Sequence, residues 1–104
     1  MNNLLRNIPC PVDEEVFEIL ASSDCVKVER IVSKGHTSPR RGWYDQGRNE
    51  FVLLLAGAAR LEFDGGRVEN LAPGDWLDIP AHCKHRVAWT DEHTETVWLA
   101  VHYD

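Results

Sequence analysis

"GWYDQGRNEFVLLLAG", residues 42–57, decides how this chain is read. From Phe51 to Ala56 it is an unbroken apolar run, as expected of a strand buried on both faces of a sheet. The approach to that run holds Trp43, Tyr44, Asp45 and Gln46, with Glu50 at the mouth of the strand. Such a cluster is either a solvated lead-in or the rim of a pocket.

Downstream of this stretch the pattern is β throughout. "AARLEFDGGRVENL", residues 58–71, reads as a hairpin: Leu61 and Phe63 alternate with Arg60 and Glu62, and Asp64-Gly65-Gly66 supplies the turn. "DWLDIP", residues 75–80, is a short strand stopped by Pro80. "KHRVAWT", residues 84–90, places His85, Val87 and Trp89 on one face. "TETVWLAVHY", residues 94–103, alternates Val97, Leu99 and Val101 with Trp98, Ala100 and His102. Upstream, "CVKVERIVS", residues 25–33, sets Val26, Val28 and Ile31 against Lys27, Glu29 and Arg30.

Before residue 25 the pattern changes. Pro9 and Pro11 mark residues 1–12 as an irregular arm, and "VDEEVFEILAS", residues 12–22, reads as one short helix capped by Asp13. Val16, Phe17, Ile19 and Leu20 supply its apolar face. The expected organisation is an N-terminal arm and helix over 1–24 and a single all-β domain over 25–104. About seven short strands in that length point to a sandwich or barrel, since closure removes the open edges a small β-protein cannot leave bare.

The 104 residues suffice for one domain. A net charge of −6 argues against sequence-independent nucleic-acid binding, which needs a positive face. Lys34, Arg40, Arg41 and Arg48 gather near the opening stretch, but Asp45 and Glu50 interleave with them, so a mixed surface is expected. Cys10, Cys25 and Cys83 are odd in number and form no CxxC pair, as in a reduced, cytoplasmic protein. No basic start leads into a long apolar run, and no stretch approaches the ~18 apolar residues of a membrane span. The expectation is a cytoplasmic protein with no nucleic-acid and no membrane partner.

Two spacings carry a resemblance. Glu50 is followed after six residues by Gly57; Gly74 is followed after five by Pro80, with His85 five residues beyond. This frame resembles the cupin family, small jelly-roll β-barrels, and the resemblance covers residues 25–103, with the short interval of a compact bacterial single-domain cupin. It implies an all-β cupin-type barrel. It also implies a divalent metal (iron, manganese, nickel or zinc) held by a His-x-His and a Glu of the first motif and a His of the second. Glu50 and His85 stand in the Glu and second-motif His positions; the His-x-His is absent. Its places fall on Tyr44 and Gln46 or, with one more residue of gap, on Trp43 and Asp45. His82 replaces the second-motif glycine.

The resemblance therefore implies a candidate metal set of Gln46, Glu50 and His85, with Trp43, Tyr44, Asp45 and His82 as candidate substrate contacts and His36 as a distant extra ligand. His93 and His102 are expected on the surface, and Trp76, Trp89 and Trp98 in the core. Three functions are open. The first is a metal-dependent enzyme such as a dioxygenase or isomerase. The second is a metal-free module that binds or senses a small organic ligand, and the third is a structural homodimer. A small-molecule ligand and a homodimeric state are expected; the reaction is unassigned.

Overall fold

The computed structural model describes residues 1–104 and contains eight strands and no α-helix. They are β1 (Val16–Ser22), β2 (Val26–Ser33), β3 (Asn49–Ala56), β4 (Ala59–Phe63), β5 (Val68–Leu71), β6 (Trp76–Ile79), β7 (His85–Thr90) and β8 (Thr96–Tyr103). They form two antiparallel sheets, ordered β1-β2-β8-β3-β6 and β5-β4-β7. The segment from Ser38 to Tyr44 runs beside β7. There Ser38 exchanges backbone hydrogen bonds with Val87, and Tyr44 with His85, so the smaller sheet gains a partial fourth member.

The helix expected over residues 12–22 is instead the edge strand β1, paired with β2 from Val16↔Val32 to Ser22↔Lys27. Val16, Phe17 and Ile19 are β-branched or aromatic and suit a pleated surface as well as a helix. A helix here would leave the edge of β2 unpaired, so the tertiary partner decides. A bulge at Leu20 interrupts the pairing. The arm is tied down by Arg30, which is 6 % exposed on the outer face of β2. Its Nη1 donates to the carbonyls of Leu4 (3.1 Å) and Arg6 (2.8 Å), and its Nη2 to Asn7 (3.2 Å) and Glu18 Oε1 (2.6 Å).

The core lies between the two inner faces. Val52, Leu54, Trp98 and Ala100 from the larger sheet meet Ala59, Leu61, Phe63 and Leu71 from the smaller. The central run is therefore buried on one face, while Phe51, Leu53 and Leu55 are half-buried on the other. Trp98 is core as expected, but Trp76 and Trp89 are exposed. Trp76 pairs with Leu53 on the outer face and stacks on Phe51 with ring centroids 5.3 Å apart. Trp89 is turned outward by a bulge: Leu61 pairs with Val87, Arg60 pairs with Trp89, and Ala88 is left unpaired. One inserted residue exchanges the two faces of the strand beyond it. Thr90 points inward in its place, 1 % exposed, and donates to the His36 carbonyl at 2.7 Å.

The glycine that ends the first spacing is required sterically. Gly57 has φ +86°, and a Cβ there would lie 2.6 Å from Thr96 Cα and 2.8 Å from the Glu95 carbonyl.

Candidate functional site

The inner face of the larger sheet changes character along its length. Strand register places Phe17, Ile31, Trp98 and Leu54 in one cross-strand row, and Lys27, His102, Glu50 and Ile79 in a row nearer the other end. Across the barrel, His85 opens β7 and pairs with Phe63. The strand period of two thus aims Glu50, His102 and Glu29 from one sheet toward His85 from the other.

These four side chains are buried, each between 5 and 8 % exposed. Glu50 Oε1 faces His85 Nε2 at 3.2 Å and accepts from Gln46 Nε2 at 3.3 Å. Its other oxygen lies 3.8 Å from His102 Nε2. His102 Nε2 donates to Glu29 Oε1 at 2.8 Å, and Glu29 Oε2 is 4.0 Å from Lys27 Nζ. His85 Nδ1 donates to the Cys83 carbonyl at 2.8 Å, which fixes the ring and aims Nε2 at the carboxylate. Buried charge is tolerated here because the Glu50 and Glu29 carboxylates each face an imidazole.

Burial by itself would lower the pKa of His85, but the hydrogen bond and charge of Glu50 and the Cys83 carbonyl outweigh it, and the net shift is upward. Burial raises the pKa of Tyr44, and the Glu15, Glu50 and Glu29 carboxylates add to this, against an opposing hydrogen bond from Ser38. Tyr44 remains a neutral phenol, with its ring centroid 5.5 Å from that of His85.

Two cavities flank the cluster. A cavity of about 40 Å³ lies toward the apolar end, lined by Phe17, Ile31, Tyr44, Leu61, His85 and Trp98 among others. That is about the room of one water molecule, whose share of liquid volume is ~30 Å³. The other, about 250 Å³, opens at the polar end between Lys27, Gln46, Gly47, Arg48 and His102. Only the second approaches the size of an organic-ligand pocket.

Of the expected site residues, Gln46, Glu50 and His85 are brought together, and Tyr44 points inward beside them. The alternate residues point away. Trp43 lies under the Arg86 guanidinium, 4.8 Å from its ring centroid, and Asp45 pairs with His82 at 2.8 Å, both exposed. His82 has φ +62°, the left-handed backbone a glycine would adopt without cost, and its N–H donates to the Gln46 carbonyl at 2.7 Å. His36 is spent in its loop, its Nδ1 accepting from Lys34 N and its Nε2 directed at the Asp13 carbonyl. His93 is exposed. His102, expected on the surface, is inside, and Glu29 joins it; neither belongs to the expected site. The signal was present: His102 shares a strand face with Trp98 and Ala100, and the face carrying the tryptophan is the inner one.

The metal implied by the resemblance can be tested on the donors. Gln46 is placed as a hydrogen-bond donor to Glu50 at 3.3 Å and not beside it as a second ligand. Tyr44 is held protonated. No group of three or more His, Cys, Asp and Glu side chains is placed to hold a metal ion. The donors as placed do not assemble a metal centre.

Residues 29–102 match the family description of the cupin domain. The whole chain superposes on a protein of Ralstonia eutropha JMP134, provisionally named a mannose-6-phosphate isomerase, with TM-score 0.94 and 45 % identity over 97 % of that chain. A cupin superfamily protein of Desulfitobacterium hafniense DCB-2 gives TM-score 0.73 and 22 % identity, over 98 % of this chain and 95 % of that one. A cupin named as a sugar phosphate isomerase, from Silicibacter pomeroyi DSS-3, gives 0.69 and 22 %, over 86 % and 59 %. No functionally curated protein sequence matches.

Proposed function

The chain belongs to the cupin family, and from that premise we propose that its polar end binds a small hydroxylated carbonyl compound and shifts a proton on it without a resident metal. The observation that carries this reading is Glu50, a buried carboxylate with a histidine near each oxygen, whose neighbours Gln46 and His102 line a cavity of about 250 Å³. The Ralstonia protein's provisional name, at 45 % identity, supports an aldose–ketose type of reaction.

The groups balance for such a step. Glu50 takes the proton from the carbon beside the carbonyl, and His85 donates to the carbonyl oxygen, giving an enediol. Glu50 then returns its proton to the former carbonyl carbon while His85 recovers one from the neighbouring hydroxyl. Gln46 holds Glu50 in place, and Glu29 holds His102. The upward shift of the His85 pKa, driven by Glu50 and the Cys83 carbonyl against burial, favours the protonated form this role needs.

The test is proton exchange on candidate substrates. Aldoses and their phosphates are incubated in deuterium oxide with metal-free protein and followed by NMR. Exchange of the hydrogen beside the carbonyl is expected, reduced at least ~100-fold in Glu50→Gln, the usual scale for losing a general base. Exchange that appears only after a divalent metal is added would replace this reading with a metal-dependent one.

A further inference from the structure

We propose that the cavity at the polar end is an oxyanion subsite, in which Lys27 and Arg48 take a phosphate-type group of the ligand while its carbon skeleton reaches Glu50. This rests on the reading of that end as the ligand site and names the charged part of the ligand. None of the five lining residues is apolar, and two are permanent cations.

Part of their hydrogen-bonding capacity is unspent. Lys27 Nζ makes no hydrogen bond; its nearest carboxylate oxygen, on Glu29, is 4.0 Å away, and Glu29 already accepts from His102. Arg48 uses Nε on Asp104 at 3.0 Å and Nη2 on the Asp24 carbonyl at 2.5 Å, leaving Nη1 free. The Asp104 contact also shows that a carboxylate oxygen can sit on Arg48 at this rim. Its side chain is 58 % exposed, so a ligand anion can displace it. Strand pairing sets Lys27 opposite His102, and His102 opposite Glu50, so an anion on Lys27 lies two strands from the proposed base. Glu29, Glu50 and Asp104 oppose anion entry, and His85 offsets one of them when protonated. Lys27 Nζ and Arg48 Nη1, joined by Arg48 Nε once Asp104 is displaced, present several donors, so the subsite favours a multidentate oxyanion over a simple carboxylate.

The experiment is calorimetric titration of the full chain with inorganic phosphate, comparing wild type with Lys27→Met, Arg48→Gln and Asp104→Asn. The three residues are half-buried or exposed and outside the proton-transfer groups, and circular dichroism confirms that each variant folds. Loss of either cation should weaken phosphate binding roughly tenfold. Asp104→Asn should tighten it about threefold by removing the competing charge. Equal affinity in wild type, Lys27→Met and Arg48→Gln overturns the subsite, as does absence of phosphate binding in wild type and Asp104→Asn. A neutral aldose that exchanges its proton while phosphate fails to bind leaves the proton-transfer reading intact and removes the subsite. Phosphate binding that follows the expected order, with no exchange on any aldose or aldose phosphate, does the reverse.

Discussion

The two ends of the barrel interior share the strands β3 and β8 and have opposite chemistry. At one end Leu54, Trp98, Leu61 and Ala59 are buried at 0–3 % exposure and present no charge to one another. At the other, four residues along β3 and β8, Glu50 and His102 are buried almost as deeply, with His85 of β7 facing them. The apolar end is held by burial, which acts at any pH and tolerates small adjustments. The polar end is held by matched protons and lone pairs, so each member depends on its neighbours. Perturbing each end should show the difference.

The largest stability effect is expected at the apolar end. Leu54 is fully buried, and Leu54→Ala should cost about 3 kcal/mol, combining lost transfer energy with a cavity in a packed core. Urea unfolding followed by tryptophan fluorescence measures it, and phosphate affinity of the folded variant should be unchanged. A variant that loses stability and phosphate binding together would show that the two ends are not independent.

A smaller effect is expected at the polar end and depends on pH. The folded pKa of His85 is raised above the ordinary value of about 6.5. Below about pH 6.5 the ring is protonated in both folded and unfolded chains, and its full contribution is present. As pH rises through the folded pKa, that contribution is lost. Wild-type stability should therefore fall with pH above about 6.5, and His85→Asn should flatten the fall. A stability curve in His85→Asn parallel to wild type would mean that the charge pair contributes nothing to folding.

The smallest effect lies on the rim. His82 holds a left-handed backbone conformation that costs a side-chain-bearing residue about 1 kcal/mol, whereas its exposed pair with Asp45 returns less than that. His82→Gly should raise stability by roughly 0.5 kcal/mol, with proton exchange on the substrate unaffected. A loss of exchange activity would place His82 in ligand contact after all.

The all-β architecture was readable because period-two alternation and Gly/Pro punctuation are local signals. The hairpin at Asp64-Gly65-Gly66, the strand ending at Pro80 and the spacing from Glu50 to Gly57 all lie where local chemistry put them. The stretch over Val16–Ser22 was not readable, because its residues suit helix and strand alike and only the free edge of β2 settles the choice. Trp89 was misplaced for a related reason: a bulge at Ala88 reverses the alternation and leaves no mark in the composition.

The candidate site divides the same way. From its residues alone the chain determined that a carboxylate, an amide and a histidine, Glu50, Gln46 and His85, sit in a frame resembling a cupin pocket without its His-x-His. The tertiary structure decided which neighbours complete it. Glu29 and His102 are 73 residues apart, yet they share a hydrogen bond. Register across β2, β8 and β3 sets that meeting, and register is a property of strand pairing rather than of any one strand.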